Sequence, residues 1–284
     1  MTNFLGYAPS EVDLDSAKAV IIPVPYDATT SYKTGARYGP EAIIRASLQL
    51  EDYDLELDGD VSSQGIFTTP SLPVIVDGPK QMIDLVEIEV SKYIGKGKTI
   101  GVLGGEHSIS LGVIKAFKET HSDFLVLYLD AHSDMRQSYQ GSLFSHACTA
   151  RRIKEHVPIT LAGIRSVSLE EKNFIEQSST PIFPWPHHSK SNSDWVNEIL
   201  GTLKSDVYIS IDLDVLDPSI MSAVGNPEPG GVSWLELISL LRTVSKTRNI
   251  VGFDIVELSP SEGPESCSYL AAKLVYKLLG YVIL

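Results

Sequence analysis

The sequence predicts an α/β fold: a three-layer α/β/α sandwich with a mostly parallel central sheet. Short apolar runs alternate with amphipathic segments along all 284 residues, which is the pattern of repeated βα units. Most of these runs are continuously apolar, as expected for parallel strands covered on both faces. The chain shows no repeat, low-complexity tract or linker, so we expect a single domain over residues 1–284.

The predicted strands are the continuous apolar runs, at residues 19–23, 99–103, 124–129, 159–162, 207–213 and 250–256. The predicted helices are the amphipathic segments between them, at residues 81–93, 109–119, 195–203, 234–244 and 269–279. Gly95 ends the first helix, and Ser233 with Glu236 forms a capping box at the start of the fourth. Residues 65–79 and 185–193 are rich in turn-forming or polar residues and are expected to be surface loops.

Composition excludes several classes of protein. The 36 acidic and 23 basic residues give a formal charge of −13, and no cluster of Lys and Arg could track a phosphate backbone. We therefore expect no nucleic-acid partner. No apolar run is long enough to span a membrane, and residues 1–10 lack a basic segment followed by an apolar core. The two cysteines form no disulfide framework, so a cytoplasmic protein is expected.

Four polar clusters each follow a predicted strand. They are G-G-E-H at 104–107, D-A-H-S-D at 130–134, S-I-D-L-D at 210–214 and D-I-V-E at 254–257. Because the carboxyl ends of parallel strands open on one edge of a sheet, these clusters are expected to converge there.

The clusters contain a set of candidate metal ligands without a thiol. Asp130, His132 and Asp134 alternate along extended chain, so their side chains project to one side. The full set of candidates is His107, Asp130, His132, Asp134, Asp212 and Asp214. Such an oxygen-rich set suits Mn²⁺ or a similar divalent ion better than structural zinc. Six ligands exceed the needs of one tetrahedral site, so two ions sharing bridging aspartates are expected.

Charge counting favours the same conclusion. Four clustered carboxylates would repel one another and raise their own pKa values, and two divalent cations would compensate them. A water shared by two such ions would be deprotonated near neutral pH, which provides a nucleophile. Individually, the motifs have simpler explanations: His107 alone could open a helix, and D-x-D occurs in many proteins. A purely structural role does not explain four such clusters in this order.

With these motifs, the sequence resembles the ureohydrolase family, which includes arginases and agmatinases, and is most similar to the agmatinases. The resemblance runs from P-V-P-Y-D (23–27) and G-A-R-Y-G-P (35–40) to G-F-D-I-V-E-L-S-P (252–260). It implies an arginase-like fold and two Mn²⁺ ions. One ion would be held by His107, Asp130, Asp134 and Asp212, and the other by Asp130, His132, Asp212 and Asp214.

The resemblance also implies catalytic roles. His146 matches a pocket histidine that relays protons, Glu257 matches the acid that binds the guanidinium group, and Asp214 would transfer the migrating proton. The implied reaction is hydrolysis of agmatine to putrescine and urea, a step of polyamine biosynthesis. Ser166 and Ser168 stand where arginases usually have aspartate, which argues against arginine as the substrate. The segment 221–226 departs from the usual agmatinase pattern, which bears on the substrate rather than on the metals.

Several alternatives remain at this stage. The same chemistry could act on aminopropylagmatine, guanidinobutyrate or arginine. A binuclear metallophosphoesterase would share the D-x-H of residues 130–132, but this chain lacks the G-D-x-x-D and G-N-H-E elements of that class. A non-catalytic scaffold would have no reason to keep four repelling carboxylates. The resemblance further implies a homo-trimer or homo-hexamer with a small cationic guanidino substrate.

Overall fold

A computed structural model describes residues 3–6, 12–187 and 191–284 of the protein. The strands are β1 (Ala19–Val24), β2 (Tyr53–Asp54), β3 (Gly59–Asp60), β4 (Ile66–Thr68), β5 (Thr99–Gly104), β6 (Leu125–Leu129), β7 (Ile159–Ile164), β8 (Ile182–Pro184), β9 (Asp206–Asp212) and β10 (Asn249–Val256). The α-helices are α1 (Gly39–Ser47), α2 (Pro79–Ser91), α3 (Ser110–Thr120), α4 (Thr149–Lys154), α5 (Leu169–Gln177), α6 (Asn192–Leu200), α7 (Trp234–Thr247) and α8 (Glu265–Ile283).

Eight strands form one sheet in the order β4-β1-β5-β10-β9-β6-β7-β8, and every neighbouring pair is parallel. This confirms the predicted parallel sheet, and the six predicted strands occupy its six inner positions. The edge strands β4 and β8 have three residues each and were not predicted, because so short a run carries no readable periodicity. Residues 65–79 are therefore not entirely loop: Ile66–Thr68 pairs with β1.

Helices cover both faces of the sheet. Successive strand residues point to opposite faces, so Ile21 packs in one apolar core, with α1, α6, α7 and α8. Val20 and Ile22 pack in the other core, mainly with α2, α3 and α4. The two cores on either side of one sheet form the three-layer α/β/α sandwich that the sequence predicts.

Helix ends follow local capping chemistry. The Ser233 side chain accepts from the Glu236 N–H, and the Glu236 carboxylate accepts from the Ser233 N–H, so the predicted capping box is present. Helices α1, α4 and α5 were not predicted. Part of the predicted loop 185–193 is helical, because Ser191 caps α6; residues 188–190 of that prediction lie outside the described residues.

The four polar clusters lie at the carboxyl ends of four adjacent central strands, β5, β10, β9 and β6. Their carboxyl ends therefore lie side by side at one edge of the sheet, as the sequence predicts. Among the described residues, no helix combines the length and apolar character of a membrane span.

Candidate metal centre and active site

His107 lies at the centre of the first group of candidate ligands. It begins a short 3-10 helix just beyond β5 and is fully buried. Its Nδ1 atom lies 3.1 Å from Asp130 Oδ2 and 3.3 Å from Asp212 Oδ2. Its ring stacks on Tyr128, with ring centroids 4.3 Å apart and planes within 5°. These contacts direct one ring nitrogen of His107 at two carboxylates.

His132 lies at the centre of a second group on the other side of Asp130. Its Nδ1 atom is 2.9 Å from Asp214 Oδ2 and 3.7 Å from Asp130 Oδ1. Asp214 is held in place because its Oδ1 accepts a hydrogen bond from the Ala131 N–H. The end of β6 and the end of β9 are therefore joined at this point.

The two groups share Asp130. The first triplet is His107, Asp130 and Asp212, and the second is Asp130, His132 and Asp214. Within each triplet the ligand atoms lie within 4.8 Å of one another. Five of the six predicted ligands thus come together, and Asp134 lies just beside them, 3.8 Å from His107 Nδ1. Asp212 belongs to the first triplet, and its Oδ1 also accepts the Asp214 N–H; its role as a second bridge stays a prediction.

The electrostatics of this cluster call for cations. Burial, together with the charges of Asp214 and Asp130, raises the pKa of Asp212 well above its usual range. Burial and the charge of Asp130 likewise raise the pKa of Asp134. Asp130 Oδ2 is buried and accepts no hydrogen bond from any described residue, a costly state for a carboxylate oxygen. Oxygen and imidazole ligands in this arrangement fit divalent ions.

Glu257 and His146 form a pair beside the metal-ligand candidates. Both are buried, and His146 Nδ1 lies 3.4 Å from Glu257 Oε1. That oxygen also accepts the backbone N–H of His107. Burial disfavours the imidazolium, but Glu257 outweighs this effect, with help from Asp134 and Glu106, and raises the pKa of His146 to about 9. His146 Nε2 has no hydrogen-bond partner among the described residues.

These groups open into one cavity. Its wall includes His132, Asp134, His146, Asp212, Asp214 and Glu257, and further out Ser31, Arg136, Ser166, Ser168 and Asn226. Its volume of about 170 Å³ is below the roughly 300 Å³ at which sites for drug-sized ligands begin. The cavity therefore suits a small ligand.

The outer wall combines hydroxyl and amide groups with one cation. Ser168 caps α5 and donates to Glu171 Oε2, while Asn226 donates to the Ser31 hydroxyl. The Arg136 guanidinium lies 5.0 Å above the Tyr139 ring, and its Nε is 3.8 Å from Glu171 Oε2. The segment 221–226, which the sequence singled out, thus reaches the cavity through Asn226.

Sequence reasoning missed three residues that organise the site. Tyr128 donates to Asp134 Oδ2, but it lies in an apolar run that gives no polar signal. Glu106 was part of a recognised motif without a role; Thr29 donates to it through both N–H and hydroxyl, and burial raises its pKa to about 7. Arg165 donates to several backbone carbonyls, including that of Asp214. A sequence does not reveal which carbonyls a guanidinium will reach.

Comparison with known proteins identifies the fold and the family. The Arginase family profile matches residues 17–280, which include every predicted site residue. The chain belongs to the arginase family. This arginase-family protein is 38% identical over 273 residues to N(1)-aminopropylagmatine ureohydrolase of Synechocystis, covering 93% of this chain and 89% of that protein. It is 39% identical over 273 residues to agmatinase of Pyrococcus horikoshii, covering 95% and 93%.

Comparison with solved structures leads to the same family. The agmatine ureohydrolase of Thermoplasma volcanium superposes with a TM-score of 0.89 at 33% identity, covering 99% of this chain and 94% of that one. The arginase-family protein is thus an enzyme, a ureohydrolase of the agmatinase type. This decides against the metallophosphoesterase and against the non-catalytic scaffold, and it accounts for the Asp130 to Asp134 motif.

Proposed function

We propose that this enzyme hydrolyses the guanidinium group of agmatine to urea and putrescine, a step of polyamine biosynthesis, with two Mn²⁺ ions. The observation that carries the proposal is one cavity whose wall includes members of both triplets of metal-ligand candidates, with their shared Asp130 buried behind it, next to the pair Glu257 and His146. The triplets suit divalent ions, and the pair suits a cation that must also exchange protons.

The ion-binding part rests on the chemistry of the donors. His107, Asp130, Asp134 and Asp212 would hold one ion, and Asp130, His132, Asp212 and Asp214 the other. Two ions held here would lower the pKa of a water molecule and so supply a nucleophile near neutral pH. Asp130 Oδ2 lies 3.1 Å from His107 Nδ1 but accepts no hydrogen bond from a described residue, which supports the assignment of Asp130 as a bridge.

Glu257 provides the binding group for the substrate. Its carboxylate is buried beside His146, and a guanidinium group would give it a second charge partner that can also donate hydrogen bonds. His146 is a proton-carrying group whose Nδ1 lies 3.4 Å from that carboxylate. We assign Asp214 to proton transfer between the attacking and leaving groups, with His146 assisting at the departing amine.

The outer wall supports a substrate without an α-amino acid group. Ser166 and Ser168 offer hydroxyls rather than carboxylates to an α-amino group. Arg136 is the one arginine or lysine in the described wall of the cavity, and it already faces Glu171 and Tyr139. An α-carboxylate would also approach the acidic metal-ligand cluster. Like-charge contact and a lost hydrogen bond together cost on the order of 2–4 kcal/mol, so arginine should be disfavoured roughly 30- to 1000-fold.

A second candidate substrate is aminopropylagmatine, which presents the same guanidinium group on a longer amine. Similar proteins of Synechocystis and of Thermus thermophilus, at 38% and 36% identity, carry the name N(1)-aminopropylagmatine ureohydrolase. The departure of segment 221–226 from the agmatinase pattern and the place of Asn226 on the outer wall favour a difference at the far end of the substrate.

The decisive experiment is a urea-release assay on Mn²⁺-loaded enzyme. Agmatine, aminopropylagmatine, guanidinobutyrate and arginine are compared by kcat/KM at saturating metal. We expect kcat/KM for agmatine or its aminopropyl derivative to exceed that for arginine by roughly 30-fold or more. Arginine equal to agmatine would refute the substrate proposal, and no urea from any compound would refute the reaction.

Three broader expectations accompany this function as proposals. The whole chain, residues 1–284, forms one ureohydrolase domain; the enzyme works in the cytoplasm; and it assembles as a homo-trimer or homo-hexamer. Light scattering of the purified enzyme tests the last of these.

A further inference from the structure

A buried carboxylate lies behind the candidate metal centre and has no part in the proposed reaction. Asp254 is fully buried in β10. Its Oδ2 accepts from the Tyr208 hydroxyl at 2.9 Å and its Oδ1 from the Ser210 hydroxyl at 2.8 Å. Ser210 is the residue opposite Asp254 on β9. Ser210 Oγ lies in turn 2.8 Å from His107 Nε2.

We propose that Asp254, acting through Ser210, positions His107 for metal binding by determining which of its ring nitrogens carries the proton. The inference rests on the proposed function, in which His107 is a metal ligand. Asp254 and Ser210 are positioning residues, since neither lies in the cavity wall.

Counting protons gives the direction of each hydrogen bond. A carboxylate only accepts, so the bond between Asp254 and Ser210 uses the single hydroxyl proton of Ser210. The Ser210 oxygen can then only accept from His107, and Nε2 must carry the hydrogen. In the neutral imidazole Nδ1 consequently keeps its lone pair, which is the form that binds a metal ion.

The same contacts set the orientation of the ring. Stacking on Tyr128 sets the plane of the imidazole, and the bond from Nε2 to Ser210 sets its rotation within that plane. Nδ1 is left pointing at Asp130 Oδ2 and Asp212 Oδ2, 3.1 and 3.3 Å away, and at the Tyr128 hydroxyl, 2.9 Å away. Asp254 therefore has a use that offsets the cost of burying a carboxylate between strands.

Titration of the metal-free enzyme with Mn²⁺ tests this proposal. Competition with a chromogenic chelator reports the binding and resolves it into two steps. Ser210→Ala removes the acceptor for Nε2. The double variant Tyr208→Phe/Asp254→Leu removes the carboxylate without leaving a tyrosine hydroxyl unpaired. We expect each to weaken one of the two sites about 10- to 100-fold, the usual effect of losing such a partner, while the other site changes less than about twofold.

Tyr208→Phe alone is the matched control, because it loses a bond to Asp254 but keeps the path to His107; its two affinities should stay within about threefold of the parent. His107→Ala identifies the affected site. Parent-like binding at both sites in Ser210→Ala and in the double variant overturns the inference, as does equal weakening of both sites, which would indicate a packing role. If the parent enzyme binds fewer than two ions, or His107→Ala binds two, the proposed metal centre itself is wrong.

Discussion

Glu257 combines an unusual backbone conformation with a buried charge. Its φ of 68° lies in the left-handed region, which costs a non-glycine residue of order 1–3 kcal/mol. Its N–H donates to the Gly105 carbonyl, and its Oε1 accepts the His107 N–H. A β carbon at Gly105 would lie 2.0 Å from the Tyr26 carbonyl oxygen, so only glycine fits there. The hydrogen bond of the Glu257 N–H and the close packing at Gly105 therefore fix the backbone that places this carboxylate in the cavity wall.

The substitution Glu257→Gln tests the assigned role of this carboxylate. Glutamine keeps an oxygen for the His107 N–H but removes the charge that would pair with the guanidinium. We expect metal content to persist and kcat/KM to fall roughly 10²-fold or more, the scale for a lost charged partner at a buried site. Glu262→Gln, at a surface ion pair with Lys33, is the control. Near-normal activity of Glu257→Gln would show that the role is misassigned.

Asp130 is the residue on which both ions would depend. Asp130→Ala should leave the protein with neither ion by elemental analysis, because it belongs to both triplets. Asp212→Ala should do the same if Asp212 bridges as the sequence predicts. One ion retained in Asp212→Ala would confine that residue to the His107 site, and one retained in Asp130→Ala would contradict the shared ligand. The exposed Asp123→Ala is the control and should keep two ions.

At the scale of elements, the site depends on how the end of β9 is tied to its surroundings. Arg165 follows β7 and donates to the carbonyls of Asp214 and Val215 at the end of β9. It also donates to Glu228 and Pro229, in the loop that leads to α7. The planar guanidinium has five donors in fixed directions, so one side chain joins three segments.

We expect Arg165→Lys to lose most of these hydrogen bonds, because an ammonium group cannot reach carbonyls on several sides. The free energy of unfolding should fall by about 2–4 kcal/mol, on a scale of about 1 kcal/mol or more for each bond to a charged group. Metal affinity should fall with it, since Asp214 loses its support. Arg248→Lys is the control: Arg248 also donates to backbone carbonyls, but far from the site. Urea titration of both variants measures their free energies of unfolding. Equal values for the two variants would argue against Arg165 as the side chain that joins these segments.

At the scale of the whole molecule, the proposed ions would join separate strands. Their ligands come from the ends of β5, β6 and β9, where burial and the charges of neighbouring carboxylates raise the pKa values of Asp212 and Asp134. Without cations, the carboxylates repel one another at the carboxyl ends of these central strands. The formal charge of −13 and the acidic cavity also favour a cationic substrate during its approach.

Metal binding should therefore raise the thermal stability of the folded protein. A ligand at 100 times its Kd stabilises by about 2.7 kcal/mol, and for a chain of this size each kcal/mol moves Tm by about 2–4 °C. We expect Mn²⁺ to raise Tm by about 5–10 °C over the chelator-treated protein in calorimetry. The Asp130→Ala variant should show little of this shift, and an equal shift there would point to binding elsewhere.

Sequence patterns alone predict the layer architecture and the composition of the candidate site. Continuous apolar runs specify buried parallel strands, and polar clusters at the ends of β5, β6, β9 and β10 must then meet at one sheet edge. The two edge strands and three of the described helices were not predicted, because short elements depend on pairing and packing more than on their own pattern.

Which atoms face one another is visible in the folded chain and not in the sequence. The fold brought His107 Nδ1 toward Asp130 and Asp212, joined Arg165 to the end of β9, and connected Asp254 to His107 through Ser210. The residues that meet in these contacts are far apart in the chain. Each contact depends on the register between neighbouring strands and on the direction of the side chains. Local sequence patterns report periodicity and charge, but they do not specify distances between strands that the fold places side by side.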